Sequence, residues 1–342
     1  MVPGSVFVAR QTSTSWHVSD AKELSNSATF LKRAGSQTLR YPNGYKFTNL
    51  DSLPKEIIMA NITFLGTGLL GSAFAEAAAK RGDTVTVWNR SPQKAQALQE
   101  FGIKVASSAS MAVKGAKRVH LVLKDDAVVE EVIAAAGTEL SKDTVLIDHS
   151  TTLPSLTVTR LERLNAQGIK YLHCPVFMGP IHARNAQGSM LVAGPSTLFE
   201  QVKAALAAMT GRLEYLGERG DIAAVNKLMG NAMIIGLTSI TADVLTIAQA
   251  ANVNAEDAIK LLKMLDLNAM LAGRGVNMAK GNFAASFELT MARKDVQLML
   301  STAGDRPMAV LPCIASRMDT LIEQGHGAMD ASVIGFDAVK PL

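Results

Sequence analysis

The sequence is poor in the features that mark several protein classes. Two cysteines, Cys174 and Cys313, in 342 residues make no disulfide framework, so a reducing cytoplasm is the simplest expected setting. No run reaches the roughly 18 uninterrupted apolar residues that suggest a membrane span. The longest candidate, 229–251, is broken by Asn231, Thr238, Ser239, Thr241, Asp243 and Gln249, and no membrane partner is expected. The histidines form no metal-ligand spacing with the cysteines, so no metal site is expected. The body of the chain holds neither internal repeat nor low-complexity linker. Most of the formal charge of +4, and with it the pI near 9.0, comes from the first segment. Residues 1–58 carry 7 of the 34 Lys and Arg and 4 of the 30 Asp and Glu, leaving 27 against 26 in the remainder. A nearly neutral body has no nucleic-acid footprint.

Residues 1–58 resemble nothing in that body. They are rich in Ser and Thr and show no sustained periodicity. Arginines are too few, and an amphipathic helix too indistinct, for a convincing transit peptide. Met59-Ala60-Asn61-Ile62 reads as a natural start just before a first strand, and Lys55-Glu56 can be encoded as a ribosome-binding sequence. The expectation is that 1–58 is a disordered or non-native upstream segment.

The centre of the chain is the stretch that follows. Ile62 to Leu65 suits a buried strand, Gly66, Gly68 and Gly71 fall at G-x-G-x-x-G spacing, and an alanine-rich helix comes next. Thr84 to Trp88 is a second strand. Strand, glycine turn, helix and strand make the context in which this motif binds a dinucleotide. Gly66 allows the tight turn, Gly68 admits the pyrophosphate, and Gly71 permits close helix–strand packing. About 20 residues on, NAD-binding chains carry an acid for the ribose 2′-OH. Here that place reads Asn89-Arg90-Ser91, with no carboxylate to repel a 2′-phosphate and an Arg fork suited to one. NADP(H) is therefore the expected cofactor.

Strands and helices alternate from there. Predicted strands are 103–106, 118–123 and 144–148, and predicted helices are 93–101, 110–114, 125–135 and 154–167. Further strands at 170–174, 190–193 and 213–216 are expected on the far side of the sheet. This pattern predicts a parallel sheet covered on both faces. From Ile222 strand signals vanish, and 222–251 reads as one helix about 45 Å long at 1.5 Å per residue. Helices are also expected at 254–265, 289–303 and 311–324. The fold class is an α/β Rossmann domain, doubly wound around a mostly parallel sheet. An all-α C-terminal domain follows, joined by a long interdomain helix. The expected boundaries are 59–221 for the NADP-binding domain and 222–342 for the substrate and oligomerisation domain. Ile234, Ile235, Leu237, Ile240, Val244, Leu245 and Ile247 make the long helix apolar around most of its girth, which demands cover. A homodimer or larger homo-oligomer is the expected assembly.

Five segments in order resemble the β-hydroxyacid dehydrogenase family, which includes 3-hydroxyisobutyrate dehydrogenase and tartronate semialdehyde and glyoxylate reductases. The first is Gly66-Thr67-Gly68-Leu69-Leu70-Gly71, followed by Asn89-Arg90-Ser91 in the form of NADP-preferring members. The second is Leu121-Val122-Leu123-Lys124-Asp125, where the family lines the cofactor with residues at Leu123 and Lys124. The third, Asp148-His149-Ser150-Thr151, resembles D-x-S-T, whose serine reaches the substrate. The fourth, 226–231, resembles K-x-x-x-N and supplies Lys227 and Asn231. The last, 294–298, resembles the K-D-L segment that closes over the nicotinamide, beginning at Lys294. The resemblance covers 61 to about 335. It implies hydride transfer between NADP(H) and a small carbonyl or hydroxy-acid substrate.

The residues fit that chemistry. Hydride addition to a carbonyl produces an alkoxide, and Lys227 can answer it as general acid or as a cation. Asn231 lies four residues on, hence on the same helix face. Ser150 follows a strand's C-terminal end, where open α/β sheets bind ligands; its bland alternative is to cap the next helix. His173 reads as a structural strand-end residue. The family's substrate loop, D-x-P-V-S-G-G, departs here: Pro175, Val176 and Gly179 remain, but Phe177 and Met178 replace the serine and first glycine. The pocket becomes bulkier and more apolar, and a carboxylate-bearing substrate is less secure. Two other readings follow. A related imine reductase would share the Trp88-Asn89-Arg90-Ser91 segment, though such enzymes usually place Asp or Tyr where Lys227 stands. A non-catalytic NADP-binding scaffold is opposed by the presence of Lys227, Asn231 and Lys294.

Overall fold

The computed structural model describes residues 60–339, with two short strands before them, β1 (Leu39–Arg40) and β2 (Lys46–Phe47), paired antiparallel. The expectation of an upstream segment at 1–58 otherwise lies outside the described residues. The chain divides into two compact units, Met1–Leu228 and Met229–Leu342. The division falls within the helix Ile222–Ala250.

In the first unit, six strands form one parallel sheet: β3 (Asn61–Leu65), β4 (Thr84–Trp88), β5 (Lys104–Val105), β6 (Arg118–Leu121), β7 (Val145–Asp148) and β8 (Lys170–His173). Their spatial order is β5-β4-β3-β6-β7-β8, the doubly wound Rossmann order. All four residues of β7 are buried, as a parallel strand with helices on both faces requires. Successive side chains feed opposite cores. Val145 and Ile147 join Phe64, Val87, Phe74 and Phe199 on one face, while Leu146 joins Val119, Leu121, Val132 and Leu164 on the other. The register pairs Leu65 with Trp88 and Leu121, Leu121 with Asp148, and Asp148 with His173. These five residues form a row, and each predicted site segment of this unit except the Lys227 helix starts just beyond it.

Of the three expected far-side strands, 170–174 joins this sheet as β8, but 190–193 and 213–216 do not extend it. β9 (Val176–Phe177), β10 (Ser189–Val192) and β11 (Arg212–Tyr215) make a second sheet in the order β11-β10-β9. A bridge between His173 and Ala193 links it to β8. The cause is local: Cys174 N–H still bonds to Asp148 O, but Pro175 has no N–H to continue the ladder. The chain turns there, and β9 runs antiparallel to β10. A helix at Ser196–Ala207 was not anticipated, although Leu198, Phe199, Val202 and Leu206 are buried at helical spacing.

In the second unit, Leu289–Ala303 and Leu311–Leu321 pack around Leu289, Val296, Met318, Leu321 and Val333, with Ile240 and Ile247 against them. Asp243 accepts from the backbone N–H groups of Ala309, Val310 and Leu311 and so caps the second of these helices. By length and composition Ile222–Ala250 could cross a membrane, but the buried Asp243 turn lies against protein. Ile234, Ile235 and Leu237 are exposed in the single chain, with Ile235 at 64%.

The first unit's core contains a histidine pair. His120 Nδ1 lies 2.9 Å from His149 Nε2, and His149 Nδ1 lies 2.7 Å from the Cys174 carbonyl oxygen. One tautomer satisfies both contacts: each Nδ1–H donates and both rings stay neutral. Phe64 stacks on His120 at 4.7 Å. Burial pulls the His149 pKa down to about 4 and holds His120 well below its ordinary range. Unfolded imidazoles titrate near 6.5, so the unfolded state binds more protons between about 6.5 and 4. The stability these rings confer is complete above that window and is lost as pH falls through it. For His149 the swing is on the order of 3 kcal/mol. Thermal unfolding midpoints should therefore fall between pH 7 and 4.5, with a shallower fall in His120→Phe; equal slopes for the two proteins would contradict this origin.

Candidate active site

The glycine turn follows from steric necessity at two positions. Gly66 has φ of +101°, and a Cβ there would lie 2.3 Å from Val122 O. A Cβ on Gly71 would lie 2.1 Å from Gly66 O. Gly68, by contrast, faces open space and stands at the N-cap of helix Leu69–Lys80 without any side-chain cap. Leu70 is half-buried against the core and Leu69 is exposed. The turn is tied to the second strand, since Thr67 N–H donates to Asn89 Oδ1 at 3.0 Å and Asn89 Nδ2 donates to Ser91 O. Thr67 Oγ1 is buried with no hydrogen-bond partner. An uncapped helix N-terminus, an open glycine approach and an orphaned hydroxyl together fit a dinucleotide pyrophosphate.

Arg90 extends from the end of β4 and is 73% exposed, with Nη1 3.4 Å from Glu131 Oε2. Such a surface pair is worth about 0–1 kcal/mol and yields readily to a phosphate. Ser91 occupies the N-cap of Pro92–Gln96 without a side-chain cap bond. Lys124 is exposed beside Asp125.

Ser150 is held from three directions. Its N–H donates to Asp148 Oδ1 at 2.9 Å, and its Oγ accepts from Leu123 N–H at 3.0 Å. Its carbonyl oxygen lies 3.1 Å from His173 Nε2. The hydroxyl keeps its own proton to donate. Leu153, not Ser150, takes the N-cap of Pro154–Ala166, so the capping alternative does not apply. Asp148 also accepts from Tyr171 OH at 2.9 Å and lies 3.6 Å from Arg160 Nη1. Arg160 is fully buried and bonds Asp126 and Glu130, while Asp126 accepts Leu153 N–H. Nothing in the sequence singled out Arg160. Asp148 was visible inside its motif but carried no assigned role.

Lys227 lies on the second turn of Ile222–Ala250. Its Nζ sits 4.2 Å from the centroid of the Phe177 ring, and burial lowers its pKa from the ordinary lysine range. Phe177, with Leu216 and Ile222, packs against the buried cluster of Leu191, Ala193 and Ala223. Asn231 follows one turn later on the same helix, past the unit boundary. Lys294, in the second unit, has Nζ 3.0 Å from Asp295 Oδ1 and is more than half exposed. The first unit thus gathers Thr67 with Asn89, Leu123 with Ser150, and Phe177 with Lys227. His173 is buried, with Nε2 3.1 Å from Thr152 Oγ1 as well as the Ser150 carbonyl, a supporting position. Among the described residues no cluster of three His, Cys, Asp or Glu could hold a metal.

This fold and turn match known proteins. Residues 61–217 match the family model for the NAD-binding domain of 6-phosphogluconate dehydrogenase. Glyoxylate/succinic semialdehyde reductase 1 of Arabidopsis thaliana is 28% identical over 289 residues, which is 82% of this chain and 98% of that protein. The cytokine-like nuclear factor N-PAC of Anopheles gambiae is 25% identical over 279 residues, 79% of this chain and 49% of that protein. The imine reductase of Myxococcus stipitatus, solved with NADP+, superposes with a TM-score of 0.73 at 21% identity, covering 80% of this chain and 98% of that one. The matched domain is NAD-binding, and the named reductase relatives support an NAD(P)-dependent oxidoreductase. Within that class residues 61–217 carry the NAD-binding domain of the 6-phosphogluconate dehydrogenase type, and the chain is similar to glyoxylate/succinic semialdehyde reductases, which is consistent with the β-hydroxyacid dehydrogenase family.

Proposed function

We propose that the protein is an NADPH-dependent reductase of a small carbonyl compound, with Lys227 as the proton donor. The observation that carries this reading is the half-buried Lys227 ammonium, whose desolvation eases proton release. The N–H groups opening helix Leu69–Lys80 would hold the pyrophosphate, and Arg90 the 2′-phosphate. When bound, a reduced nicotinamide dinucleotide supplies the hydride. Lys227 gives its Nζ proton to the oxygen that becomes negative as the carbonyl carbon is reduced. The Ser150 hydroxyl, oriented by Leu123 N–H, donates to the substrate, and Asn231 steadies the ammonium or the same oxygen. An imine reductase is the second reading, favoured by the apolar Phe177 and by the shared fold; there the accepting atom is nitrogen. Oxidation of NADPH against aldehydes, 2-oxo acids and cyclic imines separates the two readings and, if none reacts, leaves a binding scaffold.

Arg90→Ala should raise the NADPH KM selectively and at least about tenfold, since charged hydrogen bonds contribute about 1.5–3 kcal/mol; equal use of NADH by the unaltered protein would refute the assignment. We also infer a homodimer or larger assembly that covers the exposed Ile234, Ile235 and Leu237, and light scattering at micromolar concentration should find no monomer. Lys227→Ala should lower kcat about 10²–10⁴-fold while NADPH affinity holds. Lys227→Arg should rescue poorly, because guanidinium keeps its proton. In the unaltered enzyme the protonated lysine is the acid, so reduction should slow as pH rises through a pKa below the ordinary 10.5. Near-normal kcat in Lys227→Ala would remove the lysine from the chemistry.

A further inference from the structure

A half-buried ammonium is the strongest attractor that a reductase site can offer to a substrate carboxylate. In this chain one side of that ammonium is already covered by an aromatic ring. The Phe177 ring centroid is 4.2 Å from Lys227 Nζ, well inside the distance at which a ring face attracts a cation. The strand that carries the ring is held in place. The Phe177 backbone belongs to β9, where it pairs with Ser189. Gly188 lies close behind that backbone, so that a Cβ there would lie 2.8 Å from Phe177 O and 2.7 Å from Met178 Cβ. The side chain packs against the cluster of Leu191, Ala193 and the fully buried Ala223. Ala223 and Lys227 are four residues apart, hence stacked on one helix face, so a ring resting on Ala223 rises against the lysine. Gly179 N–H, next along the loop, donates to His182 Nδ1 and is engaged within its own helix cap.

We propose that Phe177 is a specificity-determining residue that shields Lys227 from anionic groups and selects neutral, apolar-substituted carbonyl or imine substrates over carboxylate-bearing ones. The ring acts in two ways. Its π face offsets the positive potential that would draw a carboxylate, and its bulk takes the volume a carboxylate would fill beside Nζ. A neutral carbonyl suffers neither penalty, since it carries no charge to be repelled and a single oxygen needs less room beside the ammonium than a carboxylate, while its apolar substituent can lie along the ring. This inference rests on Lys227 as the reactive residue of the proposed function.

The test uses NADPH-loaded protein and two ligands of nearly one shape, butyramide and butyrate, titrated by calorimetry. The unaltered protein should bind the amide at least about tenfold more tightly than the anion, the scale of a desolvated cation–π contact. Phe177→Ser should gain about tenfold for butyrate with butyramide little changed, and Phe177→Trp should keep the original order. In turnover, Phe177→Ser should move the ratio of kcat/KM for 2-oxobutyrate against butanal toward the acid, through KM. Tighter butyrate than butyramide binding by the unaltered protein overturns the proposal, and that result needs no variant to fold. So does an unmoved preference in folded Phe177→Ser. Absence of turnover with every carbonyl and imine overturns the reductase reading instead, since the calorimetric comparison does not depend on catalysis.

Discussion

The buried carboxylate of Asp148 is the constraint on which the carboxyl edge of the sheet depends. It closes β7 at zero exposure, a position that water cannot stabilise, so the protein must supply its partners. One oxygen takes Ser150 N–H; the other takes Tyr171 OH and faces Arg160. Arg160 is itself buried, and its Asp126 and Glu130 contacts bring in helix Asp126–Ala136. Removing one member of such a group leaves an uncompensated charge, at a cost of about 3–5 kcal/mol. The arrangement is specific because it is expensive to satisfy in any other way. Its consequence is local order: the Ser150 hydroxyl meets Leu123 N–H at 3.0 Å, and two loops from different strands become one surface.

The glycine turn obeys a different constraint, one of volume rather than charge. Gly66 and Gly71 are pressed together and against Val122, so the strand, the turn and the helix behind it move as one body. Gly68 alone opens outward, and the helix N-terminus it leaves uncapped is where an anion is stabilised. Rigid backing with an open front is what a pre-organised phosphate site requires. Arg90, exposed and loosely paired with Glu131, adds charge at low cost in reorganisation.

The second unit repeats the device of a buried aspartate used as a connector. Asp243 caps a helix far along the chain, and Asp330 accepts from Ser286, Phe287 and Ser332. Burial alone would raise the Asp330 pKa, but these donors hold the carboxyl well below the usual carboxylate range. Polar side chains thus fix which helices meet in a unit whose apolar surface is otherwise permissive. The same helix that carries Lys227 and Asn231 also presents Ile234, Ile235 and Leu237 outward.

Much of this was legible in the amino-acid sequence, because it is written in short-range patterns. The glycine spacing, the alternation of strand and helix, and the all-helical run from Ile222 specify backbone conformations within a few residues, and the parallel sheet and long helix follow. The turn residues 66–71, the Asn89-Arg90-Ser91 segment and the Lys227–Asn231 spacing could likewise be read directly. Pairing could not. Whether β9, β10 and β11 would extend the large sheet or form their own depended on Pro175 and on a partner strand more than ten residues away. Arg160 lies on an ordinary-looking helix and acquires its role only when three carboxylates converge on it. The histidine pair joins residues 29 apart, and no local pattern announces it. Above all, the Phe177 departure was visible as a change of residue, but its meaning was not. The placement of its ring against Lys227, fifty positions later in the chain, is decided by the packing of β9 on the first turn of a helix, and packing is a property of the folded chain.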